Sequence, residues 1–218
     1  MTKLPSALTG RVVDAYDTRS LSARARAKRW KVFLDTFPDI AEMSVLDLGG
    51  DARAWRHAPA RPAHVHLVNL FHQDVDEPWM NVTIGDVCDP SIELPKVDLT
   101  YSNSVIEHVG GHWRRERFAE AVRAADRFWV QTPNRYFPIE PHFMFPWLQH
   151  LPLSARRSVV TKWPLGNYAL VTEGRQAIGN LLDIELLSAT ELRFYFPNAS
   201  IWREKFLGFT KSLVAFRT

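Results

Sequence analysis

Ser44-Val45-Leu46-Asp47-Leu48-Gly49-Gly50-Asp51 is the stretch whose reading decides the rest of the chain. An apolar run ends in a carboxylate and then two glycines, the form of a buried parallel strand that stops at a ligand and turns tightly. Glycine permits positive φ and close backbone approach, and a carboxylate at a strand end can accept hydrogen bonds from a ligand amine or hydroxyl. Downstream segments read as strands laid beside this one. Ala63 to Leu70 alternates and ends in Asn69, about twenty positions beyond Asp47, where a second parallel strand presents a group to a ribose. Asn81 to Val87 is β-branched and ends in Gly85-Asp86-Val87, and Val97 to Ser104 runs into small polar residues. Trp113 to Ala125 places Trp113, Phe118, Ala121, Val122 and Ala125 on one side of an amphipathic helix, and Phe128 to Pro133 is a fifth strand. Between the first two strands, Asp51 to His57 supports only a short helix, because Pro59 and Pro62 follow.

Strands that end repeatedly in polar groups predict a doubly wound sheet, whose ligands bind outside the carboxyl ends of the strands. In the tail, Ser188-Ala189-Thr190-Glu191 forms a capping box ahead of Leu192, Phe194 and Phe196, with Pro197 as the stop. Ser200 to Leu207 and Ser212 to Phe216 then flank Gly208-Phe209-Thr210-Lys211 as an antiparallel hairpin. The expected architecture is α/β: a mostly parallel, seven-stranded, Rossmann-like sheet closed by a C-terminal antiparallel hairpin.

The 218 residues, 46% of them hydrophobic, fit a single domain with one large core. One cysteine, Cys88, excludes an internal disulfide, and Met1 to Pro5 lacks the apolar core of a signal peptide, so a cytoplasmic protein is expected. No apolar run approaches the roughly 20 residues of a membrane span. A net charge of +3 is too slight to imply nucleic acid. The charge is unevenly spread, however: Arg19, Arg24, Arg26, Lys28, Arg29 and Lys31 crowd a stretch whose apolar members, Leu21, Ala25, Trp30, Phe33, Leu34 and Phe37, recur at helical spacing until Pro38. This basic helix, within an N-terminal lid over residues 1–38, is either a solvated face or a cover whose arginines meet an anionic group of cofactor or substrate. Residues 134–180 are rich in proline and aromatics, among them Tyr136, Phe137, Trp147 and Trp163. So long an irregular stretch in a compact domain is more often functional than accidental, and it is expected to form the substrate pocket.

Taken together, Asp47-Leu48-Gly49-Gly50, Asn69, Gly85-Asp86-Val87, the run Ser102-Asn103-Ser104-Val105-Ile106-Glu107-His108-Val109 and the terminal hairpin resemble a class I S-adenosylmethionine-dependent methyltransferase. The resemblance implies that Asp47 sits by the methionine amine and that Gly49 and Gly50 line the cofactor's sugar and tail. Asn69 and Leu70 would then meet the ribose and adenine, Asp86 the adenine amine, and Val87 the ring. Ser102 and Asn103 would lie beneath the sulfonium. Two features depart from the family's pattern: Asp51 and Arg53 stand at its second and third glycine positions, and Asn69 replaces the usual acid. Either the loop takes another path or binding is weak. A dehydrogenase fits less well, because Gly49-Gly50-Asp51-Ala52-Arg53 is not Gly-x-Gly-x-x-Gly and no acid stands at the ribose position.

Methyl transfer to a hydroxyl requires alignment and removal of a proton, a task suited to histidine. His142 is the preferred general base, His108 the second candidate, and Glu140 or Glu107 could orient the imidazole. Glu107 and His108 also resemble part of the Glu-x-x-Glu-His metal site of some quinone O-methyltransferases, with Ser104 in place of the first glutamate, which leaves a divalent metal open. The Gln131 to His142 run resembles actinobacterial methyltransferases, some of which act on sugar hydroxyls in polysaccharide biosynthesis. The expected partner is therefore a small hydroxylated acceptor, a saccharide first, with Tyr136, Phe137, Trp147 and Trp163 stacking on sugar faces and Glu140 and Arg135 bonding hydroxyls. An RNA methyltransferase, a noncatalytic cofactor-binding scaffold and a homodimer are the alternatives kept in view.

Overall fold

The computed structural model describes residues 21–164, 166 and 170–218. Arg19, the rest of the lid before residue 21 and the side chain of Arg24 lie outside the described residues. The chain begins with α1 (Leu21–Thr36), followed by β1 (Ser44–Leu48), α2 (Ala52–Arg56), β2 (His64–Asn69), β3 (Met80–Ile84) and β4 (Leu99–Asn103). Next come α3 (His112–Arg123), β5 (Arg127–Pro133), two short strands β6 (Ile139–Glu140) and β7 (Phe145–Pro146), α4 (Leu153–Val160), α5 (Gly174–Leu182) and α6 (Ala189–Tyr195). The hairpin β8 (Ser200–Phe206) and β9 (Phe209–Arg217) closes the chain.

Seven strands form one sheet in the order β3-β2-β1-β4-β5-β9-β8, while β6 and β7 pair separately. The pairs among β1 to β5 are parallel, β9 runs antiparallel to β5, and β8 runs antiparallel to β9. The strand order reverses between β1 and β4, and that switch point opens the crevice in which such sheets hold ligands.

Both faces of the sheet are covered. On one face Phe33 and Phe37, from α1 and its end, pack with Val45, Val65, Leu99 and Trp129. On the other, Phe118 and Val122 of α3 and Leu192 of α6 meet Leu46, Val130 and Leu213. The capping box forms as expected: Ser188 accepts from the Glu191 amide and the Glu191 carboxylate returns the bond.

Four expectations need correction. The hairpin turns over two residues, Leu207 and Gly208, both at positive φ (48° and 84°), so Phe209 to Lys211 belong to β9. A two-residue turn of this hand matches the twist of the flanking strands. β3 stops at Ile84, leaving Gly85-Asp86-Val87 in the following loop. On α3, Trp113 is 81% exposed, and the residue turned inward from that first turn is Arg115. Finally, the stretch after β5 is less irregular than its prolines imply. Its α4 and α5 enclose a third core of Phe143, Leu148, Val160, Ala177, Leu181, Ile184 and Leu186.

Candidate functional site

Gly49 follows β1 with φ 78°, and a Cβ there would stand 2.6 Å from Val105 Cγ2. At Gly50 a Cβ would fall 1.7 Å from Asp47 Oδ2. The two glycines therefore let the loop fold back on the carboxylate that precedes it. Asp51 then begins α2 as its N-cap, accepting from the Arg53 amide. This cap accounts for the absence of glycine at Asp51 and Arg53: the turn enters a helix at once. Trp55, one turn into that helix, donates its indole N–H to Asp47 Oδ2 at 2.7 Å.

Asp47 is 1% exposed, and among the described residues its Oδ1 has no hydrogen-bond partner. Burial pushes its pKa up to about 7, against the opposing pull of the Trp55 bond. Around it, Gly50, Tyr101, Asn103 and the α1 residues Arg26, Arg29 and Trp30 line a cavity of about 180 Å³. Arg29 donates to Asn103 Oδ1 and to Glu204 Oε2, both at 2.8 Å, so α1 is fastened across the sheet from β4 to β8. Trp30 stacks on Tyr101 with ring centroids 6.1 Å apart.

Gly49 also lines a second cavity, of about 230 Å³, on the other side of the strand ends. Its walls include Asn69, Leu70, Asp86, Val87, Val105, His108 and Arg114. Asn69 binds the protein itself: its amide donates to the Gly50 carbonyl and its Oδ1 accepts from the Phe71 amide. Asp86 accepts from Arg114 at 2.7 Å and from the Cys88 amide at 2.9 Å, and these donors hold it below the usual carboxylate range. Of the residues expected at the cofactor, Ser102 is the exception. It is fully buried, lines neither cavity, and donates to the Leu48 carbonyl at 2.8 Å, tying β4 to β1.

Beside the second cavity lies a cluster that the sequence spread over 36 positions. The donor atoms of Glu107, His108 and His142 all lie within 4.8 Å of one another. His142 Nε2 and His108 Nε2 are 3.1 Å apart, so one nitrogen donates and the other accepts. His142 Nδ1 lies 2.6 Å from Glu140 Oε1, and Glu140 Oε2 accepts from the amides of His142 and Phe143. Glu107 is fully buried: Oε2 accepts from Thr132 at 2.9 Å, and Oε1 has no partner among the described residues. Burial pushes Glu107 up to about 7, and packing around His108, reinforced by the neighbouring His142, pushes that imidazole down. Ser104 and Met144, on the two loops that carry the histidines, have left-handed φ values of 58° and 51°. Strain of this kind persists only where the surroundings over-determine it.

The four aromatics of the insertion separate. Tyr136 and Trp147 are exposed and share His150, with ring centroids at 6.2 and 5.9 Å. Phe137 lies edge-on to Phe206, and the half-buried Trp163 packs edge-on against Phe145. Arg135 bonds Glu191 and the Leu186 carbonyl. Sequence reading missed Trp55, Tyr101 and Arg114, because their roles depend on contacts across strands and loops that no local pattern announces.

No protein-family model matches the chain, and no curated protein matches it. Among solved structures, it is similar to an S-adenosylmethionine-dependent methyltransferase from Mesorhizobium loti: TM-score 0.54, 15% identity, 89% of this chain and 98% of that one. It is also similar to the methyltransferase domain of a bacterial Hen1: TM-score 0.53, 10% identity, 89% of this chain and 99% of that one. The 1,6-didemethyltoxoflavin N1-methyltransferase of Burkholderia thailandensis matches with TM-score 0.51 and 13% identity over 98% of this chain and 86% of its own. The chain therefore has the class I S-adenosylmethionine-dependent methyltransferase fold.

Proposed function

We propose that this chain is a cytoplasmic S-adenosylmethionine-dependent methyltransferase that transfers a methyl group to a hydroxyl of a small acceptor, a saccharide in the first instance. The single observation that carries the cofactor assignment is Asp47, a buried carboxylate with one oxygen held by Trp55 and the other unpartnered among the described residues. A buried charge left in this state is costly unless a ligand completes it, and the α-ammonium of S-adenosylmethionine supplies the missing partner. Arg26 and Arg29 of the lid helix line the same cavity, where Arg26 would meet the amino acid's carboxylate while Arg29 stays on Asn103 and Glu204. Gly49, Gly50 and Asn103 would line the same end, with Asn69, Leu70, Asp86 and Val87 around the adenosine. When bound, the sulfonium is an already activated methyl donor.

The protein's remaining tasks are to align the acceptor and take its proton. His142 is proposed as the base, with Glu140 as its positioning residue: a carboxylate on Nδ1 favours the imidazolium that proton removal creates. His142 Nε2 faces His108 Nε2 at 3.1 Å, so the acceptor hydroxyl must displace His108 from that nitrogen before His142 takes its proton. The insertion provides the acceptor side, and the exposed Tyr136 and Trp147 support a ring-shaped acceptor. For RNA the support is weaker, because Arg29 and Lys31 of the basic helix are already paired with Glu204 and Asp35. A second reading is favoured by one observation: one carboxylate and two imidazoles with donors within 4.8 Å suit a divalent transition metal. In that case Glu107, His108 and His142 hold the ion, and His142 no longer acts as base.

Calorimetric titration with S-adenosylhomocysteine tests the assignment. Binding by wild type, weakened at least about 100-fold in Asp47→Ala, is expected; absence of binding to wild type would turn the reading toward a protein that keeps the fold without the cofactor. Manganese or zinc titration of wild type and Glu107→Gln, with acceptor assays run with and without chelator, separates the base from the metal.

A further inference from the structure

Between α3, the insertion and α6 is a cavity of about 460 Å³ that neither lobe of the cofactor cleft includes. Glu140, the residue that holds His142, forms part of its wall, together with Arg115, Arg156 and Gln149. Each of the last three carries a buried polar atom that has no partner among the described residues: Arg115 Nε, Arg156 Nε and Gln149 Oε1. Their other atoms are committed. Arg115, 6% exposed, holds the Glu185 carboxylate at 2.7 Å and its carbonyl at 2.8 Å. Arg156 donates to the Leu181 carbonyl at 3.1 Å, and the Gln149 amide donates to the Arg135 and Phe137 carbonyls at 2.9 and 2.8 Å. Two N–H donors and one carbonyl acceptor, buried and without partners among the described residues, thus belong to side chains of one cavity wall.

Charge decides what fits there. The wall contains three arginines and three glutamates, so its formal charges cancel. Glu140 is bonded to His142 and Phe143, and Glu191 to Arg135 and Ser188. A carboxylate or phosphate could accept from the guanidinium N–H groups but, when fully ionised, could not donate to Gln149 Oε1, and it would face three carboxylates. An ammonium could donate to Gln149 but offers nothing to the two N–H donors. A hydroxyl does both, since it accepts and donates at the same atom. Phe143, Ile184 and Leu186 give the cavity an apolar side as well, and its volume lies within the range of small-molecule sites.

We infer that this cavity binds a neutral polyhydroxylated molecule, with its hydroxyls at Arg115, Arg156 and Gln149, and that it is the recognition subsite for the part of the acceptor that is not methylated. This rests on the acceptor reading above and deepens it. Because Glu140 borders the cavity and also holds His142, an occupant of the subsite lies one side chain away from the histidine pair.

The test uses one carbon skeleton in three charge states, D-glucose, D-glucuronate and D-glucosamine, titrated at millimolar concentrations into the full chain by ligand-observed NMR, with S-adenosylhomocysteine calorimetry in parallel. Saturable glucose binding is expected, weaker binding of both charged analogues, and loss of at least about tenfold in Arg156→Gln and in the space-filling Ile184→Phe. Thermal unfolding confirms that each variant is folded. Absence of saturable binding by all three sugars would mean that the cavity holds only water and overturns the inference, as would tighter binding of glucuronate or unchanged binding in both variants. Lost sugar binding with S-adenosylhomocysteine binding intact refutes the subsite alone. Sugar binding without S-adenosylhomocysteine binding refutes the methyltransferase reading instead.

Discussion

The two ends of the cleft are built around carboxylates in nearly the same condition. Asp47 and Glu107 are both fully buried, both use one oxygen and leave the other without a partner among the described residues, and both are pushed up to about 7 by burial. Their neighbours differ. Asp47 is held by a neutral indole N–H and faces a cavity with two arginines on its far wall; Glu107 is held by a hydroxyl beside two imidazoles. A lone buried carboxylate with space in front of it suits a cationic ligand group, whereas one grouped with histidines suits a proton or a metal ion. Similar burial thus suits different chemistry where the partners differ.

The largest effect that could break this contrast is on turnover. His142→Ala should lower kcat by about 10²–10⁴-fold while S-adenosylhomocysteine affinity stays within about twofold. Full activity in single-turnover assays would remove His142 from the chemistry. Binding at the Asp47 end should instead depend on pH. If the ammonium needs an ionised Asp47, S-adenosylhomocysteine affinity should weaken about tenfold per pH unit below 7, and Asp47→Asn should bind weakly with a flat profile. A wild-type profile that is also flat would place the amine elsewhere.

Stability without ligand should show the same carboxylates with the opposite benefit. Both native pKa values lie above those of the unfolded chain, so the folded state keeps protons that the unfolded state has released. Stability should therefore fall as pH rises from about 4 to about 7, by up to about 1.4 kcal/mol per pH unit for each group, and then level off. Denaturant titrations of Asp47→Asn should show a shallower slope over that interval and a gain of about 1–3 kcal/mol at pH 8; an unchanged slope would mean that Asp47 ionises without cost. The smallest effect belongs to Arg114, half-exposed on Asp86. Arg114→Gln should change S-adenosylhomocysteine affinity by no more than about fivefold, since exposed ion pairs contribute little, and a larger loss would make the arginine part of the adenosine site.

Residues close in sequence explain most of what could be foreseen. The β1 strand, its glycines, the alternating β2, the capping box and the hairpin are local patterns whose period or turn chemistry selects one structure. Asp47, Gly49 and Gly50 come together because they are adjacent, and Glu140 reaches His142 across two positions. The insertion after β5 was harder to read. Its prolines and aromatics mask α4 and α5, which are short helices held by packing against one another rather than by strong local preference.

By itself the amino-acid sequence determined the doubly wound sheet, the place of its crevice and the carboxylate at its centre, because strand periodicity and glycine conformation act over a few residues. Only the tertiary structure decided that Trp55 takes one oxygen of Asp47, that Ser102 turns inward, that Arg29 spans β4 and β8, and that His108 meets His142 from 34 positions away. Those outcomes depend on strand order and on how the insertion packs, and both are set by burial summed over the whole core rather than by any single segment.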